Sequence, residues 1–165
     1  MPVIQAILSE MDQEAATTKR VLECVPEEKL SWKPHPKSYS LGQLALHIAT
    51  LPAGVARIIA QDSVEAPTFQ QAEAKSKAEI METFAKSLGD AKQILSGIDD
   101  TKVFAAWTLT RNGQTVMSLP RIGVIRSILM NHSYHHRGQL SVYLRLLDVP
   151  VPSIYGPSAD ENPFG

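Results

Sequence analysis

The stretch Asn131–Leu147, NHSYHHRGQLSVYLRLL, decides how the rest of the chain is read. Taken as a helix, it continues an apolar seam that starts at Ile122, Ile125 and Leu129 and resumes at Leu140, Tyr143 and Leu147. Steps of three and four residues keep these side chains on one face. At two consecutive seam positions, where aliphatic residues would be expected, stand His132 and His136. Residues four apart on a helix have Cβ atoms about 5–6 Å apart, so two imidazoles there can converge on one ion at Zn–N distances of about 2.0–2.1 Å. The same i,i+4 pair serves H-E-x-x-H zinc sites, although the Glu of that motif is missing here. His135 competes for the same face, being three residues after His132. The heptad run Leu129, His136, Tyr143 favours His136.

Two histidines make a weak site without a third. His47 interrupts a second apolar stripe in LALHIATL, Leu44–Leu51. Three inward-facing histidines from two helices would form a facial set with positions left open, the arrangement of a catalytic rather than a structural metal. The plainer alternative makes each a satisfied core residue, but neighbouring buried imidazoles would then each need their own polar partners. His35, between two prolines, reads as a surface loop residue.

Around these motifs the chain reads as helical. A first helix spans Val3 to Cys24, with Ile4, Leu8, Met11, Ala15, Thr18 and Leu22 as its stripe, and Pro26 ends it. The proline-bearing segment from Pro26 to Tyr39 is a connection. Ser40-Leu41-Gly42-Gln43 has the form of a capping box, and opens a helix with Leu44, His47, Ile48, Leu51, Val55 and Ile58 on one face. Asp62–Gln71 reads as a loop. Ser76 and Glu79 form a second capping box, before a helix that carries Met81, Phe84, Leu88, Ala91, Leu95 and Ile98 and stops at Gly97. Val103, Ala105, Trp107 and Leu109 then alternate up to Asn112-Gly113, the residue pair of a type I′ hairpin turn. Pairing of Arg111 with Gln114 would set Leu109 opposite Val116. A last helix is expected over Leu119–Leu147, capped by Ser118, with Pro120 in its first turn. The expected architecture is an all-α four-helix bundle with a β-hairpin excursion before the last helix, in one domain over residues 1–165.

Composition narrows the function classes. The 165 residues carry 16 basic and 17 acidic side chains, for a net charge of -1. Without a Lys/Arg cluster, neither nucleic acid nor an anionic membrane surface is an expected partner. No uninterrupted apolar run approaches about 18 residues, and the N-terminus lacks the basic region of a signal peptide. The single cysteine, Cys24, forms no internal disulfide and fits a reducing compartment. A cytoplasmic location is the expectation. A chain of this length can fold around its own core, so a metal here would serve chemistry rather than stability.

The run N-H-x-x-H-H-R-G-Q at Asn131–Gln139, followed by YLRLLDVPVPSIYGPSADE at Tyr143–Glu161, closely resembles the DinB-like superfamily. LGQLALHIA at Leu41–Ala49 is similar to that family's first metal-ligand helix. The resemblance spans most of the chain and is vague between about Asp62 and Trp107. It implies a four-helix bundle of up-down-down-up connectivity, frequently a homodimer, with a divalent metal held by His47, His132 and His136. Some relatives, akin to the bacillithiol transferases, use the metal to activate a small thiol, and nothing in the family implies DNA binding. Neutral imidazoles suit Zn, Ni, Cu and Fe alike.

Three functions are open at this point. One is a metal-dependent transferase that joins a low-molecular-weight thiol to a small-molecule electrophile, the thiol coming from a cofactor because Cys24 is the only cysteine. The second is a metal-dependent hydrolase, which wants a carboxylate base near the ion. Leu41–Thr50 and Ile128–Tyr143 contain none, so Asp160 or Glu161 would have to fold over the site. The third is a non-enzymatic metal-binding or interaction protein. Arg137 could bind a carboxylate of the thiol or substrate, with Gln139 beside it; the alternative for Arg137 is a solvated or salt-bridged helix residue. Tyr39, Tyr134 and Tyr155 could donate hydrogen bonds near a pocket, while Trp32 and Trp107 read as packing residues.

Overall fold

Alternating three- and four-residue spacing of apolar side chains produces four main helical segments in the computed structural model, which describes residues 2–68 and 70–165. Helix α1 (Val3–Glu23) buries Ile4, Ile7, Met11, Ala15, Thr18, Val21 and Leu22. A short 3₁₀ turn at Glu27–Lys29 leads towards α2 (Leu41–Ala60). The capping box at its start is complete: the Gln43 backbone N–H donates to the Ser40 hydroxyl at 3.1 Å, and the Ser40 N–H donates to Gln43 Oε1 at 3.0 Å. The helix carries Pro52 in its interior, which costs a backbone hydrogen bond. Ser87 from the neighbouring helix bonds the backbone on either side of it, its hydroxyl accepting from the Ala53 N–H at 2.9 Å and donating to the Thr50 carbonyl at 3.2 Å. By length and composition α2 is apolar enough to cross a bilayer, yet 61% of that window is buried among the other helices.

The segment after α2 is not wholly loop. Ser63–Glu65 forms a strand, β1, parallel to a later one. Helix α3 (Lys77–Ser96) is capped by the Ser76 hydroxyl, but the expected box is only half made, since the Glu79 carboxylate accepts from the Lys75 N–H instead. Gly97 ends it. Val103 belongs to a short helix, α4 (Asp100–Phe104), rather than to a strand, because Asp99 caps a turn there through the Lys102 N–H.

Strands β2 (Ala106–Arg111) and β3 (Gln114–Pro120) form the hairpin, and the sheet order is β1-β2-β3. Asn112 and Gly113 both have positive φ, 52° and 74°, as the type I′ turn needs. Arg111 pairs with Gln114, but a bulge after Leu109 sets Leu109 opposite Met117 and leaves Val116 as the extra, exposed residue. The hairpin is not an isolated excursion. Trp107 is buried and donates its indole N–H to the Ile58 carbonyl at the end of α2.

The last helical segment departs most from expectation. Ser118 and Leu119 lie in β3, and helix begins only at α5 (Arg121–Val124). A π-helical stretch follows over Ile125–Asn131, then α6 (His132–Leu146). A π turn holds more residues than an α turn and shifts the phase of everything after it. Downstream, the buried line is therefore Arg137, Leu140 and Leu144, while Tyr143 and Leu147 are only half-buried. Two apolar clusters fill the interior. One groups Leu22, Leu41, Leu44, Ile80 and Leu140; the other groups Ile4, Ile59, Leu95, Trp107, Ile125 and Leu129.

Candidate metal centre

His47 comes from the second turn of α2 and the other two histidines from the first two turns of α6, where the π stretch hands over to regular helix. All three are half-buried, so they flank the seam rather than occupy its centre. Their ring centroids lie 4.4 Å apart for His132 and His136, 4.5 Å for His47 and His136, and 5.4 Å for His47 and His132. One ligating atom from each lies within 4.8 Å of the other two. The cluster could hold a metal ion.

Two amide oxygens fix two of the tautomers. Nδ1 of His47 is 2.9 Å from Gln71 Oε1, and Nδ1 of His136 is 2.7 Å from Gln139 Oε1. An amide oxygen only accepts, so Nδ1 carries the proton in both rings and their Nε2 atoms are bare lone pairs. Nε2 of His136 faces Nε2 of His132 at 2.6 Å.

A neutral His132 protonated at Nε2 donates to the bare His136 Nε2 at that distance, and a divalent ion would take the place of that proton. A second proton on any of the rings is disfavoured near neutral pH. Burial, opposed by the bond to Gln139 and reinforced by the neighbouring imidazoles, pulls His136 down to about 4. Burial likewise lowers His132, with His47 adding to the effect, and it lowers His47 against the bond from Gln71. Neutral imidazoles, two of them with fixed tautomers, are the donor set that a divalent ion accepts. The residues fit the group.

Other residues singled out in the sequence fall elsewhere. Arg137 is neither solvated nor turned to the site. It is 1% exposed and paired to Glu14 of α1 at 2.7 Å, with further bonds to the Thr18 hydroxyl and the Glu14 carbonyl. Tyr155 from the C-terminal tail bonds both members of the pair, and Tyr134 donates to Glu10. Asp160 and Glu161 do not reach over the centre. Asp160 holds Arg145 and the Val151 N–H, while Glu161 holds Arg20 and the Ser153 N–H. Tyr39 does stand by the site, its ring 6.2 Å from that of His47. His135 is exposed, 5.0 Å from the His136 ring. The Cys24 thiol donates to the Arg20 carbonyl, and burial raises its pKa. Gln139, at i,i+3 from His136, was legible as a partner from helix geometry. Gln71 was not, because nothing local in a loop shows which distant ring it will meet.

Comparison with known proteins agrees with this architecture. An uncharacterized protein of Bacillus subtilis (strain 168), YrdA, is 26% identical over 158 residues, 93% of this chain and 89% of that one. The crystal structure of a DinB-like protein from Bacillus cereus ATCC 10987 superposes with a TM-score of 0.73 at 23% identity, covering 92% of this chain and 97% of that one. The DinB-like protein YjoA of Bacillus subtilis gives 0.69 at 18% identity, covering 90% and 97%. At such identities the structural likeness speaks for the fold. The sequence profile of the DinB family matches residues 1–162, and the chain belongs to that family.

Proposed function

We propose that His47, His132 and His136 bind one divalent metal ion, and that the centre serves the transfer of a low-molecular-weight thiol to a small electrophile. The observation that carries the first part is the convergence of one ligating nitrogen from each of the three rings within 4.8 Å, with Nε2 of His132 and Nε2 of His136 facing each other at 2.6 Å. When bound, such an ion lowers the pKa of a thiol enough to give a nucleophilic thiolate near neutral pH.

The second part is supported by what surrounds the cluster. Three neutral imidazoles, two of them backed by amides, bring no negative charge, so a divalent ion there would keep its charge for an anionic partner such as a thiolate. The hydrolytic alternative wants a carboxylate base, and the two tail carboxylates, Asp160 and Glu161, are paired with Arg145 and Arg20. Tyr39, 41% exposed beside His47, has a hydroxyl with no protein partner among the described residues and is free to bond a substrate.

Protein purified without a metal-affinity tag, wild type and His136→Ala, tests the first part by elemental analysis. About one ion per wild-type chain and far less in the variant is the expected result. Equally little metal in both would remove every metal-based reading. Glutathione, bacillithiol and mycothiol offered with a generic electrophile then test the second part, and turnover of an ester or amide without any thiol would replace transfer by hydrolysis.

A further inference from the structure

We propose that Gln71 is a positioning residue of the metal centre, through which the loop between β1 and α3 fixes the ring of His47. The inference rests on the reading of the three histidines as a metal site. Three features of the amide support it. Its Nε2 donates to the Ala72 carbonyl at 3.3 Å, which leaves Oε1 as the atom turned to the His47 ring. Its own backbone carbonyl accepts from Gln43 Nε2 at 3.2 Å, and Gln43 sits one helical turn before His47 while completing the capping box with Ser40. The ligand and its acceptor are therefore referred to the same turn of α2. Among the described residues, the His47 ring has no other hydrogen-bond partner.

Without the acceptor, the His47 ring would be free to rotate and to place its proton on either nitrogen, so part of the population would present an N–H to the ion. Loss of such an outer partner typically weakens metal binding about 10–100-fold. A carboxylate at the same position would still accept from Nδ1.

The test uses full-length protein stripped of metal, with zinc affinity measured by competition against a chelator. Gln71→Leu should raise the zinc dissociation constant about 10–100-fold, while Gln71→Glu stays much closer to wild type. Gln70→Ala, at an exposed neighbour, should change nothing. Two-bond ¹H–¹⁵N spectra of the metal-free proteins give a second readout, with His47 protonated at Nδ1 in wild type and mixed between tautomers in Gln71→Leu. Wild-type affinity in Gln71→Leu would overturn the proposal, and so would equal losses in the Leu and Glu variants, which would mean packing rather than an acceptor. A wild type that binds no zinc at all would instead overturn the metal reading on which the proposal stands.

Discussion

Helices α2 and α6 both deliver imidazoles to the histidine cluster, but they are held in place by different physics. Helix α2 buries thirteen of its twenty residues, so packing on nearly every side sets its position. Helix α6 buries three of fifteen, and one of those is Arg137. Its rotation is set by the π stretch before it and by the ion pair that ties it to α1. One imidazole is thus placed by apolar close packing and two by a change of helical period and an ion pair. Stability and ligand geometry should be separable along that line.

The largest expected effect is on metal alone. His136→Ala should abolish stoichiometric metal uptake while leaving the melting temperature of the metal-free protein nearly unchanged, since the ring it removes is only half-buried. A large drop in the metal-free melting temperature would show that the ring belongs to the core. Leu44→Ala, in the fully packed part of α2, should cost about 2–5 kcal/mol in denaturant unfolding and leave metal stoichiometry intact wherever the protein remains folded. Arg137→Met should cost about 3 kcal/mol, because it strands the Glu14 carboxylate, 21% exposed, without its cation. Adding Glu14→Leu should recover much of that loss; no recovery would mean that the arginine acts by packing.

The smallest effect is on pH. Burial, the main cause, holds His136 at about 4 in the folded metal-free protein, below its ordinary 6.5. Between these values the unfolded chain binds a proton that the folded chain does not, so stability is fully present above about 6.5 and is lost as pH falls towards about 4. His132 and His47 are lowered too and act in the same direction. With the ring half-exposed, solvent screening limits the His136 share to about 1 kcal/mol. Urea melts across that window should show a falling midpoint, and a midpoint that rises on acidification would contradict the burial of these rings.

Particular elements show why some readings held and others did not. The Ser40–Gln43 box and the Asn112-Gly113 turn are settled within four residues by hydrogen bonds or by the backbone conformations that Asn and Gly tolerate, and both formed as read. The Ser76 box failed by one bond, since Glu79 found the Lys75 N–H as good a donor as the expected one. Leu109 lies opposite Met117 because a bulge needs only one unpaired residue, which alternation alone does not reveal. The seam through Tyr143 was drawn at constant period, and the π stretch changed that period halfway along.

For the candidate site, the spacing of His132 and His136 and the place of His47 in an apolar stripe were enough to nominate three ligands, because a regular helix converts spacing into direction over one or two turns. Whether the rings meet depends on how α2 and α6 cross, and that is decided by packing among residues far apart in the chain. The same holds for the partners beyond the rings. Gln139 follows from its helix, whereas Gln71 reaches His47 across 24 positions, and Arg137 joins Glu14 across 123. Local hydrogen bonds and periodicity are written in neighbouring residues; the meeting of distant polar groups is settled only when the whole chain closes around its core.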